Sequence, residues 1–406
     1  MNLSWWSTII LNPIYAVPVA IVILFILLYF RVNLAVALLT FSFTLAVLTL
    51  NPYQILLAYY MTGIRNINVD VIISSAIIAI MANIYKESNI ITRLSNALLT
   101  TIKKVWLTIS LIPALFGLLP VAGGALMSAP LVSEISKRIN LDSNKAAYVN
   151  IWFRHLIAPI YPLTQVIILT SALSGFNAAQ IALYNIPLAL VMYAVGFIPV
   201  RKELRNTSVG VVRESISNLL YIIPLLVAVF IVVLGVNIIT AVLLGLISLI
   251  VLVRPSKSLL LKSTFNKDVV MIILTTYAAL SVREVLMLSG FPELFTSLFT
   301  DLPSTFLTVS IIVISMLLGF VLGIPTGALA ITVPLITNVT HSIGLVSLTL
   351  MLTYLSYMIS PSHLCLVLTL KFFKVDLHSI YKYLLSTTFL TFILMVITYL
   401  ILFPFL

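Results

Sequence analysis

The chain has 406 residues, 62 % of them hydrophobic and only 8 % charged, against roughly 25 % charged in an ordinary soluble domain. So few ionised groups cannot coat a water-facing surface, which excludes a soluble globule and leaves a polytopic membrane protein. The formal charge of +11, from 22 Lys+Arg against 11 Asp+Glu, reads as a topology signal rather than as a nucleic-acid partner.

No basic residue precedes the first apolar run, so that run reads as a retained helix rather than a cleavable signal. Apolar runs long enough to cross about 30 Å at about 1.5 Å per residue follow in order. They cover 13–30, 34–50, 69–85, 148–171 and 181–200, then 219–234, 237–253, 269–282, 345–370 and 384–406. Two uncharged segments do not fit this series, 105–133, within a hairpin of about 105–136, and 302–340, each interrupted by Pro and Gly. The first is too short for two spans and carries Pro113, Pro120, Gly123, Gly124 and Pro130, which predicts a re-entrant hairpin with its tip near 120–124. The second fits either a hairpin or two short spans. Irregular backbone at membrane depth is tolerated only where it is buried or lines a cavity, so such tips point to function.

Placing the stretches around residues 31, 86–104, 137–145, 201–213, 254–267 and 371–382 on one side collects 19 of the 22 basic residues. That bias assigns this side to the cytoplasm and puts both termini outside it, in a multi-pass protein of the plasma membrane. Reading the first hairpin as a full crossing would split Lys104 from Lys137 and spoil the bias.

An internal repeat organises the chain. Val121 to Leu126 with Pro130 resembles Ile324 to Leu329 with Pro334; Asp70 and Asp268 open matching spans that close with Lys86, Glu87 and with Arg283, Glu284. A span is broken at 158–162 in one half and at 360–363 in the other. The fold expected is all-α, with two inverted-topology repeats, each of five transmembrane helices plus a re-entrant hairpin and a broken helix. The first repeat covers 1–200, a cytoplasmic linker 201–218, and the second repeat 219–406. Five crossings per half invert the second copy, and inverted repeats with interrupted helices are the architecture of secondary transporters.

This plan resembles the ion transporter superfamily that includes the divalent-anion/sodium symporters. Phe153, Arg154 and His155, together with 360–365, are similar to an uncharacterised prokaryotic integral-membrane family of unknown function grouped with it. The resemblance implies that hairpin tips and helix breaks hold the substrate. In the symporters these places carry Ser-Asn-Thr signatures for carboxylates and sodium. Here the tips read Ala122, Gly123, Gly124 and Pro325, Thr326, Gly327.

Helix N-termini attract anions, and glycine lets a ligand approach the backbone, so Gly123, Gly124, Thr326 and Gly327 are candidate contacts for an anion or for sodium. Small residues also serve plain helix packing. Ser128 is a further candidate, or it bonds its own helix backbone. Arg154 and His155 lie inside a span, where ionisable residues mark function; Arg154 either faces a cavity, its fork suiting a carboxylate or phosphate, or snorkels to the interface. The binding candidates in the helix breaks are Pro159, Tyr161 and Gln165 in the first, Tyr161 being equally readable as a packing aromatic, and Ser360, Pro361, Ser362 and His363 in the second. His363 can exchange protons near neutrality or satisfy carbonyls freed by Pro361. Asp70 and Asp268 read as helix caps.

The function expected is secondary active transport of a small, anionic organic solute by alternating access, coupled to protons or sodium, with a passive channel as the alternative. An intramembrane enzyme is disfavoured: no H-E-x-x-H occurs, and His155, His341, His363 and His378 are scattered along the chain. The lone Cys365 excludes a disulfide framework and a multi-cysteine metal site within one chain. No cofactor is expected; the partners are the solute or ion and the lipid bilayer, and a homodimer is compatible with this reading.

Overall fold

Asparagine and aspartate open many of the helices, because a short side-chain oxygen can accept the N–H groups that a helix start leaves free. Asn12, Asn33, Asn177, Asn237 and Asn266 each cap a helix through their Oδ1, as do Asp142 and Asp376, and Asn51 with Gln54 forms a reciprocal capping box. A computed structural model describes residues 11–30, 32–102, 104–118, 124–204, 215–297 and 303–403.

The fold is all-helical. The first ten helices are α1 (Pro13–Tyr29), α2 (Leu34–Thr49), α3 (Pro52–Ile64), α4 (Asn66–Glu87), α5 (Ile90–Thr101), α6 (Val105–Gly117), α7 (Gly124–Arg138), α8 (Ser143–Arg154), α9 (Gln165–Ser174) and α10 (Ala178–Gly196). Ten more follow: α11 (Ile223–Val233), α12 (Ile238–Val253), α13 (Lys257–Thr264), α14 (Lys267–Leu288), α15 (Phe291–Ser297), α16 (Ser304–Leu322), α17 (Pro325–Val339), α18 (Ile343–Met358), α19 (Leu364–Phe373) and α20 (Leu377–Leu402). In both series a short helix precedes a 22-residue one, α4 and α14. Two packed helices, α6 with α7 and α16 with α17, come before an interrupted pair, α8 with α9 and α18 with α19.

Among the described residues, six helical stretches are long and apolar enough to cross a membrane, and the protein is membrane-embedded. Eight further apolar helices are shorter. The spans expected at 148–171 and 345–370 are short for a physical reason. Pro159 and Pro162 in one and Pro361 in the other remove backbone donors, and the helix stops. Each break rebuilds its hydrogen bonds locally: Thr164 Oγ1 donates to the Ala158 carbonyl at 2.7 Å, and Ser360 Oγ accepts from the Ser362 N–H at 3.2 Å. Pro113, Pro130 and Pro334, by contrast, are absorbed inside continuous helices.

α4 and α14 pack side by side and antiparallel. Asn68 reaches Glu284 at one end, while Lys262, just before α14, pairs with Glu87 at the other. The helix starts carrying Asp70 and Asp268 therefore lie at opposite ends of this pair. Neither aspartate is a cap. α4 begins at Asn66, so Asp70 sits in its second turn and accepts from the Asn237 amide at 2.9 Å, and Asn266 caps α14 in place of Asp268.

The interior is built on the helices beside the breaks. Every residue of α8 from Ala146 to Arg154 is buried, as is α17 from Pro325 to Ile336. Large apolar side chains are exposed on α1, α11, α12 and α20, among them Tyr29, Phe230, Val251 and Phe389, which suits helices facing lipid. α7 packs on α19 and α17 packs on α9, so a helix from each packed pair rests on the interrupted helix of the other series.

Candidate functional site

The breaks of the two interrupted helices meet. His155, the C-cap of α8, and His363, the N-cap of α19, bring their rings edge to face with centroids 4.7 Å apart. Tyr354 and Tyr357 of α18 enclose them; Tyr357 lies 4.4 Å from the His363 ring and 5.6 Å from that of His155. Both histidines are buried, and each Nδ1 bonds a main-chain carbonyl, that of Ile151 at 2.6 Å for His155 and that of Met358 at 3.1 Å for His363.

Arg154 ends α8 next to this pair. It is only 6 % exposed, its Nη1 is buried without a hydrogen-bond partner, and none of the ion pairs among the described residues includes it. Enclosed in this way it does not snorkel to an interface. Its guanidinium lies against Gly124, the first residue of α7, where any Cβ would overlap it. A buried cation therefore rests directly against the first described turn of α7, with no ion pair to it among the described residues, and an anion reaching its free Nη1 would offset that charge.

A cavity of about 210 Å³ adjoins this cluster. Its walls are Gly117 and Leu118 at the end of α6, Ala158, Thr164 and Gln165 of the first break, Ile324, Pro325 and Thr326 at the start of α17, and Tyr354 and Tyr357. Gly117 lies against the Arg154 carbonyl, so the cavity wall and the arginine are in direct contact. The volume falls below the roughly 300–1,000 Å³ of drug-sized sites and suits a small solute. Another cavity of about 180 Å³, with Asp70 and Asn237 in its walls, contains none of the candidate residues.

The candidates distribute unevenly over this geometry. Thr326 and Gln165 line the cavity, the Gln165 amide also reaching the Thr276 hydroxyl at 3.3 Å. Gly124, Arg154, His155 and His363 form the cluster beside it. Gly123 lies outside the described residues. Gly327 turns away, its Cβ position facing Leu322 and Leu38. Pro159 offers its carbonyl to Asn185 at 2.6 Å, and Tyr161 is packed in the hydrophobic core. Ser360 is buried, whereas Pro361 and Ser362 are exposed. Ser128 does more than bond its own helix: its hydroxyl donates to Asn150 of α8 at 2.7 Å, and the Asn150 amide donates to Thr369 of α19 at 2.9 Å.

Sequence reasoning passed over Tyr354, Tyr357, Asn150 and Cys365. For Cys365 a signal existed, since it stands two residues after His363 within the second break motif.

A family model described as "Protein of unknown function (DUF401)" matches residues 13–402. No curated protein matches the chain.

Proposed function

The chain belongs to this family, and we propose that it is a secondary active transporter of a small anionic organic solute, working by alternating access. The observation that carries the reading is Arg154, a buried guanidinium whose Nη1 has no hydrogen-bond partner among the described residues and which lies against Gly124 of α7. The anionic group of a solute finds in this guanidinium a planar, two-pronged donor. The body of the solute occupies the neighbouring cavity beside Thr326 and Gln165. Transport rather than catalysis is the role, in a plasma-membrane protein with the lysine-rich ends of its helices in the cytoplasm and both termini outside.

The recurring order of helices supports a reading as two inverted repeats, and so does the antiparallel pairing of α4 with α14. In this reading the chain shares the plan of the ion transporter superfamily. The two halves then exchange conformations around the paired breaks, driven by a proton or sodium gradient.

The test is uptake into proteoliposomes, after a thermal-shift screen of carboxylates, phosphates and sulfate, with and without sodium, has selected a solute. The wild type should accumulate it only while the gradient lasts, and Arg154→Gln should lose uptake by roughly a hundredfold, as expected when a charge-assisted contact of about 3 kcal/mol is removed. Flux that persists without a gradient would identify a passive channel instead. Full uptake by Arg154→Gln would remove the arginine from the site.

A further inference from the structure

We propose that His155, His363 and Cys365 form a binding site for a soft monovalent metal ion of the Cu(I) class, bridging the two helix breaks. One donor atom from each of the three residues lies within 4.8 Å of the others. Sequence distance hides this: His155 ends α8, whereas His363 and Cys365 sit at the start of α19, about two hundred residues away.

The hydrogen bonds prepare the imidazoles for a metal. A carbonyl oxygen only accepts, so the Nδ1 of each histidine must carry its proton to bond Ile151 and Met358. Each Nε2 is then a bare lone pair, and the carbonyl bonded to Nδ1 fixes the ring orientation, as at many metal-ligating histidines. The Nε2 of His363 is buried and has no hydrogen-bond partner. An orphaned acceptor of this kind is unfavourable by roughly 1–3 kcal/mol, and a metal bond removes the deficit.

Charge selects the ion. The cluster holds no carboxylate, and the unpaired Arg154 precedes His155 directly in the chain. A divalent ion on one thiolate would leave a net positive charge beside that guanidinium, in a site with little water to screen it. A monovalent ion on one thiolate is neutral. Thiolate with two imidazoles is also a soft donor set, of the kind that Cu(I) takes. Binding replaces the thiol proton: the S–H bond breaks, the metal–sulfur bond forms, and one proton leaves to solvent, with no change of oxidation state. Cys365 is only partly buried and so provides the access route.

The purified full-length protein, kept in detergent without oxygen, is titrated with Cu(I) supplied as its bicinchoninate complex, with Ag(I) as a redox-inert probe. The wild type should strip one ion per chain from the chelator. Cys365→Ser and His363→Gln should each weaken retention by roughly tenfold or more. X-ray absorption on the Cu(I)-loaded protein should report one sulfur and two nitrogen neighbours. Cys365→Ser, which changes one atom, serves as the decisive variant if His363→Gln elutes aggregated from a sizing column. Equal retention by wild type and Cys365→Ser would overturn the site. Zn(II) retained at the same stoichiometry, and lost in the same variants, would overturn the assignment to a monovalent ion.

Discussion

Arg154 and Gly124 hold each other in place, and their pairing has measurable consequences for stability. A buried cation without a counter-ion opposes folding, and removing it should relieve that opposition. Arg154→Met is therefore expected to raise the melting temperature of the unliganded protein, by a free energy on the order of 1–4 kcal/mol, while abolishing any stabilisation by anions. Differential scanning fluorimetry with and without the selected solute measures both; a less stable Arg154→Met protein would mean that the guanidinium already has a partner. The two tip glycines separate in the same way. A Cβ at Gly124 drives into the Arg154 guanidinium, whereas at Gly327 it meets the flexible ends of Leu322 at 3.2 Å and Leu38 at 3.8 Å. Gly124→Ala should thus eliminate uptake and Gly327→Ala should leave it within about twofold, less than 0.5 kcal/mol and typical of a substitution that touches no special feature.

At the scale of elements, polar ties fasten each packed helix pair to its neighbours. In the first series Ser128 of α7 and Thr369 of α19 both bond Asn150 of α8. In the second, Ser315 of α16 bonds Thr332 of α17 at 2.7 Å and Thr353 of α18 at 2.6 Å. All of these residues are buried, so Asn150→Leu leaves two hydroxyls with lost partners and is expected to destabilise the protein by about 1–3 kcal/mol, read as a lowered melting temperature. The turn between α16 and α17 has a different requirement. Gly323 adopts φ +63°, and a Cβ there would press on Ser362 and His363 of the second break. Strain in the left-handed region alone is unfavourable by about 1–2 kcal/mol, so Gly323→Ala should lower both stability and uptake. A protein unchanged in both would show that the turn and the break are not coupled. The helix breaks were legible in the sequence because proline acts locally, whereas the tip expected near 120–124 lies almost wholly outside the described residues. The ties were not, since Ser, Thr and Asn in lipid-facing and in packed positions look alike until their partners are known.

For the molecule as a whole, orientation is open to direct measurement. Single cysteines introduced between Lys137 and Lys145 should react with a membrane-impermeant maleimide only in inside-out vesicles, the native chain with its partly buried Cys365 serving as blank. Labelling from outside would reverse the proposed topology. Ion pairs also close the ends of the central helices. Glu284, buried at the end of α14, pairs with Arg65 at 3.3 Å and with Arg283 at 3.1 Å, and Glu87 pairs with Lys262 at the opposite end of α4.

The amino-acid sequence by itself determined that the chain is helical and membrane-embedded, and where its helices break, because hydropathy, proline and glycine act on their own few residues. Two aspartates were misassigned as caps: α4 starts about a turn before Asp70, at Asn66, and α14 is capped by Asn266, two residues before Asp268. Only the tertiary structure decided which break residues share a site. That Arg154 lies against Gly124 with no ion pair among the described residues, that His155 meets His363 and Cys365, and that Gly327 packs against leucine while Gly124 packs against a cation all depend on helix rotation and on contacts between different helices, those of His155 joining residues about two hundred positions apart. Those are set by the packing of the whole bundle, in which each interrupted helix is completed by its neighbours from the other half of the chain.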